Sequence, residues 1–335
     1  MSNFFASFSP KWIALVALIF QNAGLAVSMR YTMISVKPGD PHYITSTAVL
    51  TAEVMKLVIS TVLCFVVDAK SSGRAFSQIL YDEFVGNKGD WIKLMIPSIL
   101  YTIQNSLQYF SMKMLSAPVF QVLYQMKIIT TAIFSVTLLA RRITGLQWLS
   151  VMMLTGGVAM VQLSQNKGSG GKEGNQDSVA GLVSVLLGCL TSGFAGVYFE
   201  MVLKSSKASI WLRNIQLSVI GLFMSMIGCY LRDFDELMDR GDFFSGYNKY
   251  VWGVITLQAA GGLIVAVVVK YADNVMKGFA TSLSIIISAI ISFVMFHDVE
   301  VNLAFVTGGA VVLAAVFAFG YQPPAVISTA KNQST

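Results

Sequence analysis

Two lysines stand where a lysine is expensive. Lys127, at the end of Tyr124-Gln125-Met126-Lys127, lies well inside an apolar segment. Lys277 closes the charged stretch Lys270-Tyr271-Ala272-Asp273-Asn274-Val275-Met276-Lys277, a hairpin between two apolar runs. A charge at the centre of a membrane helix costs roughly 3 kcal/mol and persists where it is paired or solvated. Lys127 has no carboxylate within a turn of its helix, so its partner comes from another helix, from water or from a ligand. Two ammonium groups, one in each half of the chain, suit the two ends of one phosphate-bearing solute. Backbone N–H groups at the helix start that carries Lys277 would add to the site if the solute reached them, although a lysine at such a place also snorkels.

Neutral polar side chains surround these charges. Tyr101, Gln104, Asn105 and Gln108 fall on one helical stripe, and Gln121, Tyr124 and Gln125 cluster around Lys127. Amides and phenols on facing helices suit a nucleobase and ribose; interhelical hydrogen bonding, worth about 0.6 kcal/mol each, is the plainer use. In the second half, Tyr198 and Glu200 close one apolar run and Arg213, Asn214 and Gln216 open the next. Asn214 reads as a base contact and Arg213 as a marker of the membrane edge. Glu53 and Lys56, three apart on one face, form a local ion pair with a structural or a gating role, and Lys270 and Asp273 join them as gating or structural charges.

Catalytic chemistry finds little support. Gly168 to Lys172 lacks the Ser/Thr and the following helix of a phosphate-cradling loop. Two histidines, His42 and His297, cannot build a histidine metal cluster, and Cys64, Cys189 and Cys229 lie inside apolar runs without ligand spacing. Asp233-Phe234-Asp235 could hold a metal, but the segment from Asp233 to Asp242 reads as a solvated acidic loop. No catalytic residue, metal or cofactor is assigned, and without an ATP site movement against a gradient needs exchange or ion coupling.

The elements that position these residues follow from composition. The 335 residues are 55% hydrophobic and 12% charged, with mean hydropathy +0.67, too apolar for one water-soluble core. The net charge of +6 sits mostly between apolar runs, where it orients a membrane protein rather than binding nucleic acid. Spans of about 20 residues are expected near 11–33, 44–67, 92–113, 117–139, 145–163, 179–203, 209–231, 250–270, 276–296 and 301–320, ten in all. The first is too long for a signal peptide and lacks a cleavage site.

A Gly/Ser/Lys-rich stretch within 164–178 reads as a flexible linker between five-helix halves, 1–163 and 179–321, with a tail at 322–335. Thr155-Gly156-Gly157 is echoed by Thr307-Gly308-Gly309. An odd number of spans per copy makes the second copy inverted, the plan of secondary transporters with a solute site between repeats. Gly188, Ser192 and Gly196 are spaced to let helices approach closely. Thirteen Lys and Arg on the side of both termini against eight opposite put the termini in the cytosol, where the sequon Asn332-Gln333-Ser334 stays unused.

Tyr101-Thr-Ile-Gln-Asn105, Tyr124-Gln-Met-Lys127, Ser192-Gly-Phe-Ala-Gly-Val-Tyr198-Phe-Glu200, Trp211-Leu-Arg-Asn214-Ile-Gln216, Gly261-Gly262 and Lys270 through Ser284 together resemble the signature segments of the Golgi nucleotide-sugar transporter family, over about residues 11 to 321. The likeness is greatest to the UDP-galactose and UDP-N-acetylglucosamine branch, with CMP-sialic acid transporters next. The resemblance implies an all-α membrane protein with ten transmembrane helices as two inverted five-helix repeats, the drug/metabolite transporter fold. It implies exchange of a cytosolic nucleotide-sugar for a luminal nucleoside monophosphate, with Lys127 and Lys277 on phosphate and Tyr101, Asn105, Tyr124 and Asn214 around the nucleotide. Phe120 and Ser218 replace tyrosines found in parts of the family. Phe120 and the Gln104-to-Tyr109 run resemble the UDP-galactose branch slightly better.

The expectation is therefore a Golgi-membrane antiporter carrying UDP-galactose inward against UMP, with substrate contacts from Lys127, Lys277, Tyr101, Asn105, Tyr124, Asn214 and Tyr198. UDP-N-acetylglucosamine or CMP-sialic acid transport are the alternatives within the family, and the endoplasmic reticulum is the alternative membrane. A membrane-embedded glycosyltransferase is a remote rival, and a membrane scaffold that binds no nucleotide is another. The partners are the UDP-sugar, UMP and the bilayer; a homodimer or a complex with glycosyltransferases stays open.

Overall fold

The computed structural model describes residues 9–35, 41–86, 88–115, 117–164, 178–205, 208–296 and 302–320. The expected linker, the tail with its sequon, and His297 lie outside them. Helix dominates because a backbone crossing hydrocarbon must satisfy its own N–H and C=O groups. The long helices are α1 (Pro10–Ile34), α2 (Thr45–Leu63), α3 (Met95–Met114), α4 (Ala117–Tyr124), α5 (Met126–Leu139), α6 (Gly145–Ser164), α7 (Ser178–Ser205), α8 (Ile210–Arg240), α9 (Lys249–Tyr271), α10 (Asn274–Phe296) and α11 (Leu303–Gly320). A π-turn at Cys64–Ala69 carries α2 onward, and short helices at Phe76–Tyr81 and Lys88–Lys93 bridge to α3.

Among the described residues, nine helical stretches are long and apolar enough to cross a membrane. The tenth expected span corresponds to α3, whose 20 residues are long enough. It is not among the nine because Gln104, Asn105, Gln108 and its serines dilute its apolar content.

Two expected elements differ in detail. The fourth span is broken at Gln125, where Gln125 N–H donates to the Val122 carbonyl and Ile128 N–H to that of Gln125, so α4 ends at Tyr124 and α5 begins at Met126, the residue before Lys127. Lys127 therefore occupies the first turn of a helix and not the middle of one. The acidic segment expected as a loop is instead a continuation of α8 past a bend at Asp233 (φ −125°, ψ 15°) as far as Arg240. The extension is held by Arg240 bonding Glu236 one turn back (2.5 Å) and the His42 carbonyl (2.5 Å), and it ends at Gly241, whose φ of +65° suits glycine.

Packing runs across the two halves of the chain. α1 lies against α9 and α10; α7 lies against α3 and α5; α2 packs on α8 and α6 on α11. The Thr-Gly-Gly echo forms the last of these contacts: a Cβ added at Gly157 would lie 3.0 Å from the Gly308 carbonyl oxygen, and one at Gly308 would lie 2.9 Å from that of Gly157. Only glycine at both positions lets the backbones meet. Ile128, Leu154, Val158, Phe279 and Val312 form the apolar core beside this seam, so the first turns of α5 and α10 are anchored on one packed layer.

Candidate functional site

Lys127 rises from the first turn of α5 with its Nζ over the Tyr124 ring, 4.2 Å from the centroid. A desolvated cation–π contact of this kind is worth about 2 kcal/mol. Tyr124 is itself fixed: its ring stacks on Phe120 at 5.4 Å, and its phenol oxygen accepts from Gln104 Nε2 (2.9 Å) and from Gln108 Nε2. Tyr101 is half-buried on the same helix as these amides. Gln104 is buried, and its Oε1 has no hydrogen-bond partner among the described residues. Gln125 donates to Gln162 Oε1 on α6 at 2.8 Å, and Thr130 bonds the Cys189 carbonyl on α7 at 2.7 Å. The stripe on α3 and the cluster around Lys127 thus form one polar surface. The side chains of Asn105 and Gln121, which belong to the same expectation, lie outside the described residues.

Lys277 rises from the first turn of α10, and the two residues Ala272 and Asp273 separate α9 from that helix. Glu200, 2% exposed on α7, accepts from the Asn274 backbone N–H (2.7 Å) and from Lys204 Nζ (2.6 Å). Lys204 also donates to the Ala272 carbonyl at 2.6 Å. Asp273 accepts from the Met276 N–H (2.7 Å) and pairs with Arg141 Nη1 (2.8 Å), brought in from the turn after α5. The helix start is therefore already occupied by two carboxylates. The Asn274 and Met276 N–H groups, two of those at this helix start, are thus already bonded to protein carboxylates. The helix that bears Lys277 packs on α5, which carries Lys127, and on α7, which carries Glu200.

Close approach of α7 makes this arrangement possible. A Cβ at Gly196 would strike the Asn274 side chain, and one at Gly193 would lie 2.6 Å from Thr130 Oγ1. Gly188, by contrast, meets nothing nearer than Leu107 at 3.9 Å, so Gly193 and Gly196 are the pair that brings α7 onto α5 and α10. Asn274 is buried, and its Oδ1 has no hydrogen-bond partner among the described residues.

The remaining sequence-derived residues scatter around this centre. Tyr198 is half-buried on α7, stacked on Phe194 at 5.8 Å. Asn214 is 2% exposed and its amide donates to the Ile210 carbonyl at 3.0 Å, so in this conformation it is packed among protein groups. Arg213, in the first turn of α8, is 1% exposed and bonded to Gln216 Oε1 at 2.7 Å. Glu53 and Lys56 pair as expected, at 2.6 Å and 2.8 Å to the two carboxylate oxygens. The pair fits between helices because Gly221 on α8 and Gly262 on α9 leave room for Glu53 and Lys56 respectively. Lys270 ends α9. Asp233 and Asp235, two apart along a helix, do not face one another, and no group of three metal-type ligands occurs among the described residues.

Sequence reasoning missed Glu200, Lys204 and Arg141 as parts of the site. The signal for Glu200 was present, since a carboxylate in an apolar run calls for a partner; the identity of that partner was not readable from spacing.

The helical bundle with buried charges at helix breaks defines a multi-pass membrane protein built around a polar centre. A solved crystal structure, 12% identical, superposes with a TM-score of 0.63 over 92% of this chain and 96% of its own, a likeness of fold. The Nucleotide-sugar transporter family model matches residues 6–320, and the chain belongs to that family. It is 44% identical to the human UDP-N-acetylglucosamine transporter over 93% of this chain and 96% of that one. It is 45% identical to the human UDP-galactose translocator over 92% of this chain and 76% of that one. These relatives are named for transport, and the chain is a nucleotide-sugar transporter and not an enzyme.

Proposed function

We propose that the protein is an antiporter that carries a UDP-sugar from the cytosol into the Golgi lumen in exchange for UMP. The observation that supports this reading is that Lys127 and Lys277 rise from the first turns of two helices in opposite halves, α5 and α10, which pack on each other and share one apolar layer. Two like charges at such a place call for a shared anion, and a diphosphate supplies one. Tyr124 with Gln104 and Tyr101 line the adjoining polar surface, where the nucleoside lies; Asn105, Asn214 and Tyr198 complete the nucleotide's surroundings. Arg141–Asp273 is the pair that ties the two halves together as they rock, and Glu53–Lys56, local to α2, is a gating or structural charge pair.

Two inverted five-helix repeats, 1–163 and 179–321, are the architecture of this reading. It is supported by the packing pattern: exchanging the first half for the second maps α1 on α9 and α10 onto α7 on α3 and α5, and leaves α2 on α8 and α6 on α11 paired as before. Both termini then face the cytosol.

UDP-N-acetylglucosamine is the first candidate cargo, because the relatives carrying that name match this chain along nearly their whole length. UDP-galactose is the second, favoured by Phe120, which stacks on Tyr124, and by the translocator relatives. An uptake panel in reconstituted vesicles comparing the two sugars, UDP-glucose and CMP-sialic acid ranks them. Exchange itself is tested by preloading: vesicles filled with UMP take up UDP-sugar faster than empty ones, because an unloaded carrier must turn with Lys127 lacking its counter-charge. Equal rates would contradict exchange, and release of UDP in detergent would favour a glycosyltransferase.

A further inference from the structure

The carboxylate of Glu200 is spent on neither Lys127 nor Lys277 directly, yet it is buried at the point where the helix bearing Lys277 begins. Its two oxygens grip that start from opposite sides: one accepts the first N–H of α10, the other holds Lys204, which in turn holds the Ala272 carbonyl at the end of α9. Gly196, one turn earlier on α7, leaves the room for Asn274 that lets α10 come this close. A negative charge in this position does two things. It fixes the two-residue break, and with it the base of the Lys277 side chain, which lies in α10 four residues past Asp273. It also opposes any second anion brought to Lys277, since at partly buried sites the field of one carboxylate extends over several ångströms.

We propose that Glu200 is a positioning residue whose charge, balanced by Lys204, keeps the phosphate of a bound nucleotide from being held too tightly by Lys277, so that cargo can leave. This inference rests on the reading that Lys277 contacts nucleotide phosphate. A carrier that exchanges two anions through one site needs release as much as binding, and an internal competitor for the lysine supplies it.

The test uses the full chain, with UMP as probe and uridine as the phosphate-free comparison. Glu200→Gln keeps the acceptor for the Asn274 N–H and removes the charge; it should tighten UMP binding about three- to tenfold while lowering the maximal exchange rate, and leave uridine unchanged. Lys204→Met leaves the carboxylate unbalanced and should weaken UMP by a similar factor. The double variant should return towards the wild type. Opposite shifts from the two single variants are not a result that loss of structure can give. If E200Q fails to fold, weakened UMP with unchanged uridine in K204M still supports the inference. Weaker UMP in both single variants, an equal change for uridine, or no change in either would overturn it. A wild-type protein that binds no UMP would remove the underlying reading as well.

Discussion

Lys127 and Lys277 reach the same region by opposite constructions. Lys127 is carried through a helix break at Gln125 and rests on the face of Tyr124, a neutral ring held by two amides and a stacked phenylalanine. Lys277 follows a break at Ala272 and Asp273 that is braced by two carboxylates and two further cations, Glu200 with Lys204 and Asp273 with Arg141. One lysine is stabilised by polarisable surface and the other stands in a web of full charges. A cation over an aromatic ring gives up little when a phosphate arrives, whereas a cation near a carboxylate gains the phosphate against a standing competitor. On the proposed reading, Lys127 would serve capture and Lys277 release.

The largest effects should come from removing either ammonium. Lys127→Met and Lys277→Met should each lower exchange at least about 100-fold, the cost of leaving a desolvated phosphate without its partner. They should differ in stability: thermal unfolding in detergent should show K277M less stable than the wild type, because Glu200 loses a compensating charge, and K127M equal to it or more stable. Equal losses of stability in both would break the contrast.

Next in size is Gly196→Ala, whose methyl group meets the Asn274 side chain. It should destabilise by about 1–3 kcal/mol and impair exchange by displacing the start of α10, while Gly188→Ala, facing open space to 3.9 Å, should do neither. Tyr124→Phe comes third. It preserves the ring beneath Lys127 but frees Gln104 and Gln108, and a loss of about 1 kcal/mol, read as roughly fivefold weaker UMP, is expected. A Tyr124→Leu change, which removes the ring, should cost more. The smallest effect is Ala140→Gly. Ala140 ends α5 in the left-handed region (φ 49°), where glycine carries no Cβ penalty, so up to about 1 kcal/mol of added stability is expected, with exchange unchanged.

Much of this was legible in the sequence. Helix positions followed from hydropathy because lipid forbids unpaired backbone, and every expected span has its helix within a few residues, except where α8 runs on past Asp233. The two lysines stood out because charge in an apolar run demands a reason, and Glu53–Lys56 because the pair is local. What stayed hidden depends on tertiary contact. Nothing near Gln125, neither proline nor glycine, announces the break between α4 and α5. Arg141 and Asp273 lie in turns of opposite halves, and only the packed bundle brings them to 2.8 Å. The bond from Arg213 to Gln216 one turn on was not read from the sequence either.

The central claim is that one diphosphate is shared by both lysines. A structure of the protein with a UDP-sugar bound tests it most directly. The account predicts the Nζ atoms of Lys127 and Lys277 each within about 3.2 Å of oxygens on the same diphosphate; a nucleotide whose phosphates meet only one of them, or neither, would contradict it.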